Sequence, residues 1–208
     1  MIDLHTHSTY SDGTFTPEAL VEYAIEHGIT TLALTDHDTI EGVFELEDYA
    51  KNKNIRVIRG VELSINWCNK VIHVVCLNID IHNSALLALL KSQQSIRKKR
   101  AFLIAELLEK SIGLKNGYEK ALKFATGGLI ARPHFAKVLV EEGICKDMKA
   151  AFERYLKRGK CAYVKTSWVG LHDAIECIIQ SGGCAVLAHP TKYKYTFCRV
   201  QAGCGPRI

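Results

Sequence analysis

Two histidines one residue apart, His5 and His7, stand near the start of the chain, and Asp12 follows after a short polar stretch. In a β-strand, residues i and i+2 point to the same face. Both imidazoles can therefore aim at one point, which suits metal chelation better than packing. The plain alternative is an exposed His-x-His pair in a loose N-terminus, since short motifs often match by chance. The rest of the chain favours the metal. His37, Glu62, His73 and His189 each end or follow an apolar strand, so His5, His7, Asp12, His37, Glu62, His73 and His189 map to one edge of a sheet. Burying so many ionisable groups together without a cation is costly. A mixed imidazole and carboxylate set suits manganese, iron or zinc. Glu62 or Asp12 can bridge two ions about 3.5–4 Å apart, an arrangement that activates a water and stabilises a displaced oxygen in phosphoester hydrolysis. Asp36 and Asp38 flank His37, and each reads either as a partner orienting an imidazole or as a turn residue.

The elements that must position these groups alternate. Thr16-Pro17-Glu18 opens a helix with a capping threonine, a proline in the first turn and an acid behind it. Gly28 closes it, residues 29–34 form a buried strand, residues 42–53 a second helix, and residues 55–62 and 71–77 two further strands. The pattern implies a mostly parallel α/β sheet or a barrel, whose sites gather at the C-terminal ends of the strands. From Ser84 to Gly159 the spacing is helical instead, with apolar stripes over residues 85–90, 96–108, 135–140 and 148–156. This stretch reads as a helical insertion. The α/β pattern returns with a helix over residues 171–181 and the strand ending in Ala188-His189-Pro190. Beyond Thr191 neither periodicity persists.

Arg132, in Ala131-Arg132-Pro133-His134, starts a helix in the insertion and offers a planar fork for phosphate; the plain alternative is a helix-start arginine in water with a histidine in the cap. Arg97-Lys98-Lys99-Arg100 reads as a solvated helix face rather than a nucleic-acid patch. His27, His82 and His172 read as surface residues, and Lys192 and Lys194 as part of a solvated loop rather than as the mouth of the site.

With 208 residues, 48% hydrophobic and 24% charged, the chain is long enough for one good core and an inserted unit. A net charge of +5 suits an anionic substrate and is too small to argue for duplex DNA binding. The eight cysteines show no CxxC pair, and with no leader ahead of the His-x-His strand the expectation is free thiols in a reducing cytoplasm. No apolar run approaches the roughly 20 residues of a membrane span, so a soluble, cytoplasmic protein is expected.

Taken in order, Asp3-Leu4-His5-Thr6-His7-Ser8-Thr9-Tyr10-Ser11-Asp12-Gly13, Thr35-Asp36-His37-Asp38-Thr39, Gly60-Val61-Glu62-Leu63-Ser64, His73-Val74-Val75 and Ala188-His189-Pro190 resemble the PHP (polymerase and histidinol phosphatase) superfamily. The insertion with Arg132 further resembles its branch of phosphoesterases acting on nucleoside 3′,5′-bisphosphates or trimming short RNA from the 5′ end. The resemblance implies a distorted (β/α)7 barrel holding two or three divalent ions, manganese first with iron or zinc as alternatives, and water as nucleophile. It makes His5, His7, Asp12, His37, Glu62, His73 and His189 the metal ligands, with Asp12, His37 and Glu62 catalytic and Arg132 and His134 facing substrate phosphates. Small nucleotides or short RNA are the implied partners.

The division expected is residues 1–83 for the first part of the barrel, 84–165 for the inserted helical subdomain, 166–190 for the second part, and 191–208 for an atypical tail. The superfamily pattern continues with a late Asp-x-His pair, and none follows His189. The reading is therefore of a barrel incomplete at the C-terminus, in a truncated or frameshifted chain. A histidinol-phosphatase-like activity and an inactive metal-binding remnant are the alternatives.

Overall fold

The computed structural model describes residues 1–193, so Lys194 and nearly all of the expected tail lie outside the described residues. Strand β1 (Ile2–Thr6), helix α1 (Pro17–Glu26), strand β2 (Thr31–Leu34), helix α2 (Glu41–Ala50) and strand β3 (Arg56–Trp67) build a parallel βαβαβ start. Thr16 caps α1 through its side chain, which accepts from the Ala19 amide at 3.3 Å.

β3 is where the fold departs from expectation. It runs five residues past Glu62 because Leu63 and Ile65 alternate inward with Ser64 and Asn66, and it then turns back directly into β4 (Lys70–Leu77). Cys68 and Asn69 both have positive φ, 45° and 59°, the conformation of a tight hairpin turn whose twist matches its strands. Such a turn can join only antiparallel neighbours, and β4 indeed runs against β3 over the whole of Gly60–Trp67. The sheet is thus mixed rather than mostly parallel, in the order β1-β2-β3-β4-β6, with β6 (Cys184–Leu187) antiparallel to β4. On the other edge of β3, β2 takes the beginning and the short β5 (Val169–Gly170) takes the end.

The sheet curls into half a barrel. Its outer face packs Leu32, Leu34, Val61, Leu63, Val74 and Cys76 against α1, α2 and helix α7 (Leu171–Gln180). Its inner face is lined by the smaller cluster of Leu4, Ala33, Ile58, Val75, Leu77 and Ala188.

Helix α3 (Ser84–Ile112) is one continuous helix of 29 residues, where the sequence suggested two. The apparent gap arises because the buried stripe Leu86, Leu90, Gln93, Arg97, Ala101, Ile104, Leu108 carries two polar residues in its middle. Both are satisfied by the sheet. Gln93 donates to the Ser64 carbonyl at 2.7 Å and accepts from the Val169 amide at 3.2 Å. The N-terminal half of α3 therefore packs on the sheet. Its C-terminal half packs with α4 (Gly117–Phe124), α5 (Arg132–Glu141), α6 (Met148–Ala151) and the π-helical turn Phe152–Leu156 around a second apolar cluster centred on Phe135, Leu139 and Leu156. No described helix is long and apolar enough to cross a membrane.

Candidate metal centre and anion cleft

Two connections bring the N-terminal histidines to the sheet edge. The loop after β1 is strapped by Asp36, whose carboxylate accepts from the Ser8 amide at 2.7 Å and from the Ser8 and Ser11 hydroxyls at 2.5 Å each. Burial pushes the Asp36 carboxyl up, against these three hydrogen bonds. The loop closes tightly at Gly13, where a Cβ would lie 2.2 Å from the His7 carbonyl oxygen, so only glycine fits. Asp12 is thereby turned back to within 4.0 Å of both His7 and His37. The second connection is a parallel bridge between His37 and Glu62 that continues the β2–β3 pairing, with amides of Glu62 and Asp38 bonded to the facing carbonyls. Asp38, in the left-handed region at φ 53°, uses its carboxylate to bond the Ser64 amide and to pair with Arg97. Asp36 and Asp38 are thus loop fasteners.

Glu62 is the centre of the site. It is buried, and five imidazoles surround its carboxylate. His5 Nε2, His7 Nε2 and His37 Nδ1 lie 3.2, 3.1 and 3.2 Å from Oε2. His73 Nδ1 and His189 Nε2 lie 3.2 and 3.1 Å from Oε1. Glu62 and His73 reach this point from within strands rather than from strand ends, because residues 62 and 73 share one face of the β3–β4 hairpin. His189 follows β6 with a strained φ of 33°. All seven residues expected as ligands line one cavity of about 530 Å³, together with Arg132, Lys192 and Tyr193.

The donor chemistry fits divalent cations. The Nδ1 atoms of His37, His73 and His189 are buried without an aligned hydrogen-bond partner, a cost that a bound cation would relieve. Burial and then the Arg97 charge hold His37 well below the usual imidazole range, hence neutral. Burial raises the Glu62 carboxyl, but the contacts with His7 and His73 outweigh it and hold the group well below the usual carboxylate range. Three overlapping triads, His5/His7/Glu62, His7/Asp12/His37 and His37/Glu62/His73, each bring their ligand atoms within 4.8 Å of one another. The triads share Glu62, His7 and His37. A first expected outcome follows. Mn²⁺ at a hundredfold excess over its dissociation constant adds about 2.7 kcal/mol to stability, or about 5–10 °C in melting temperature for a chain this size. Differential scanning calorimetry should show that rise in the native chain and a much smaller one in His37→Ala.

Beside the metal cavity lies a cleft of about 1060 Å³. Arg132, Asp12, His37 and His73 line both spaces, and Lys70, Arg97, Arg100, Arg158, Lys165 and Trp168 line the cleft alone. One expectation is corrected here. Arg97 is buried and ion-paired, and Arg100 is half-buried in the cleft wall, so only Lys98 and Lys99 of that run face solvent. Lys192 is exposed, as a solvated loop requires, and it also lines the mouth of the cavity. His134 is buried and its Nδ1 accepts from the Ala131 amide at 3.0 Å, capping α5. Burial pushes its pKa down to about 4, so it is neutral and has only Nε2–H to offer a ligand. His27, His82 and His172 are exposed, as expected. Arg97, Arg100 and Trp168 were missed because their roles depend on which face of α3 meets the sheet.

The PHP domain profile matches residues 3–163. A 5′-3′ exoribonuclease from Haemophilus influenzae is 46% identical over 194 residues, covering 93% of this chain and 70% of the relative. A 3′,5′-nucleoside bisphosphate phosphatase from Chromobacterium violaceum is 40% identical, covering 92% of this chain and 67% of the relative. The chain spans 66–70% of the length of the curated relatives it matches at this level. Among solved structures, an amidohydrolase from Chromobacterium violaceum, with bound sulfate and no metal, superposes with a TM-score of 0.91 at 38% identity, covering 97% of this chain and 71% of that one.

Proposed function

The chain belongs to the PHP domain family, and on that premise we propose that it hydrolyses phosphate esters in a metal-dependent reaction. The observation that carries this reading is the carboxylate of Glu62 enclosed by five imidazole nitrogens at 3.1–3.2 Å. His5, His7, Asp12, His37, Glu62, His73 and His189 would hold two or three divalent ions, with manganese the ion to test first and iron or zinc also suited to the donor set. Divalent ions bound there supply an activated water and stabilise the oxygen that leaves.

The substrates we propose are nucleoside 3′,5′-bisphosphates, losing the 3′-phosphate, and short RNA trimmed from its 5′ end. Relatives at 40–46% identity carry names for these two activities, and sulfate, bound in a similar structure, shares the shape of phosphate. Arg132 lines both the metal cavity and the cleft, and its planar fork is suited to the phosphate being cleaved. Asp12 lines both as well, where it can hold a water against the substrate. The six described cysteines are free thiols, in keeping with the cytoplasm.

Phosphate release from adenosine 3′,5′-bisphosphate tests the reading. Release should require Mn²⁺ and stop with chelator. Arg132→Ala should lower kcat/KM by about 10²-fold, the scale of removing one preorganised donor to the reacting anion. Release at full rate in chelator would contradict the reading.

A further inference from the structure

The connection between helices α4 and α5, residues 125–131, leads straight into Arg132. Its middle touches the sheet half of the molecule. The Gly127 amide donates to the Thr9 carbonyl at 3.1 Å. A Cβ at Gly127 would lie 2.4 Å from the Tyr10 Cα and 2.8 Å from the Thr9 carbonyl oxygen. Both distances are shorter than any side chain packs, and both neighbours are backbone, so only glycine fits without a shift. Thr9 and Tyr10 belong to the loop that carries Asp12. The helical insertion is therefore strapped, backbone against backbone, to the loop that presents Asp12, and the strap lies five residues before Arg132.

The two sides of the strap are unequally held. The loop after β1 is bound to the buried Asp36 through Ser8 and Ser11 and has no room at Gly13. On the side of the insertion, Thr126, Gly127 and Gly128 are exposed, whereas Ile130 and Ala131 are buried. A push at Gly127 thus displaces the insertion's loop rather than the Asp12 loop, and the buried end of that loop passes the shift to Arg132. Arg132 and Asp12 line both the metal cavity and the cleft, so their separation decides how an anion sits against the site.

We propose that Gly127 is a positioning residue, whose close backbone contact with Thr9 and Tyr10 sets Arg132 at the distance from Asp12 that the substrate requires. The proposal rests on the phosphoesterase reading for the nature of the ligand and goes beyond it in naming what fixes the arginine in place. The next residue supplies a control. Gly128 has a φ of 81°, and nothing lies within 4 Å of a Cβ placed there. Gly128→Ala strains the same loop without pushing on Tyr10.

Isothermal titration calorimetry of the full chain in chelator, with adenosine 3′,5′-bisphosphate, tests it. Arg132→Ala should weaken binding about tenfold to a hundredfold, the range of a charge-assisted hydrogen bond. Gly127→Ala should weaken it about tenfold, a loss that acts through Arg132. Gly128→Ala should weaken it by less than about twofold, although its strain lowers the melting temperature by about 2–4 °C. Gly127→Ala with Arg132→Ala should bind no more weakly than Arg132→Ala alone. If Gly127→Ala folds poorly, amide hydrogen exchange in the native chain decides. By linkage, saturating bisphosphate should slow exchange of the Gly127 amide by the factor that the strap adds to affinity, about tenfold, and should leave it unchanged in Arg132→Ala. A native chain that does not bind the bisphosphate, native-like binding by Gly127→Ala, equal losses in the two glycine variants, additive losses in the double variant, or a Gly127 amide that the ligand does not slow would each overturn the strap. None of these results requires cleavage, so metal-dependent phosphate release decides the phosphoesterase reading separately.

Discussion

Glu62→Gln is expected to lower metal-dependent phosphate release by about 10³-fold, the equivalent of about 4 kcal/mol in the barrier. Glutamine keeps the volume and the strand register, so the change isolates the charge. Among the described residues, Glu62 is the only carboxylate that meets His5, His7, His37, His73 and His189 together. A neutral amide there removes the negative charge shared by two of the three ligand triads and presents an N–H group to imidazole nitrogens that a cation would otherwise use. Steady-state kinetics with saturating Mn²⁺ should show the loss in kcat, while circular dichroism shows an unchanged fold. A variant with near-native kcat would mean that the carboxylate only organises the histidines.

The largest expected effect on stability lies at the seam between the sheet and the helical insertion. Arg97→Met should destabilise the chain by about 3–5 kcal/mol, the cost of leaving a buried charge without its partner, which for this length is about 6–20 °C in melting temperature. Arg97 and Asp38 are 6% and 0% exposed, and Arg97 also reaches the Ser64 hydroxyl at 2.9 Å. The pair fastens α3 to the residue that follows His37 and to the strand that carries Glu62. Asp38→Asn combined with Arg97→Met should recover much of the stability, because asparagine still accepts from the Ser64 amide and no charge is left unpaired. Thermal unfolding of both variants checks this. A double variant no more stable than Arg97→Met would show that packing of the arginine stem, rather than its charge, holds the seam.

How legible the site was in the sequence depended on where each residue's role is written. Ligand-type side chains announce themselves by chemistry and by following apolar runs, so the residues now gathered around Glu62 could be picked out from the chain alone. Their route to one point could not. The sequence places Glu62 at a strand end, and only the Cys68–Asn69 turn, with both residues at positive φ, carries β3 onward and folds His73 back beside it. Arg97 and Gln93 broke the apolar stripe of α3 and so hid its continuity, because a buried polar residue is favourable only when a distant partner satisfies it. For His134 the sequence offers both a phosphate contact behind Arg132 and a place in the helix cap, and its Nδ1 takes the cap by accepting from the Ala131 amide. Trp168 carried no local signal, since the two guanidinium groups near its ring come from Arg97 and Arg100 of α3.

The most direct test of the metal-centre account follows bound metal and phosphate release in one sample, as Mn²⁺ is titrated into the metal-free chain with adenosine 3′,5′-bisphosphate present. The account predicts that release rises in step with metal bound at the Glu62 cluster, and that Glu62→Gln neither retains the metal nor releases phosphate under the same conditions. Full-rate release while the chain carries almost no metal, or metal retention by Glu62→Gln equal to that of the native chain, would contradict it.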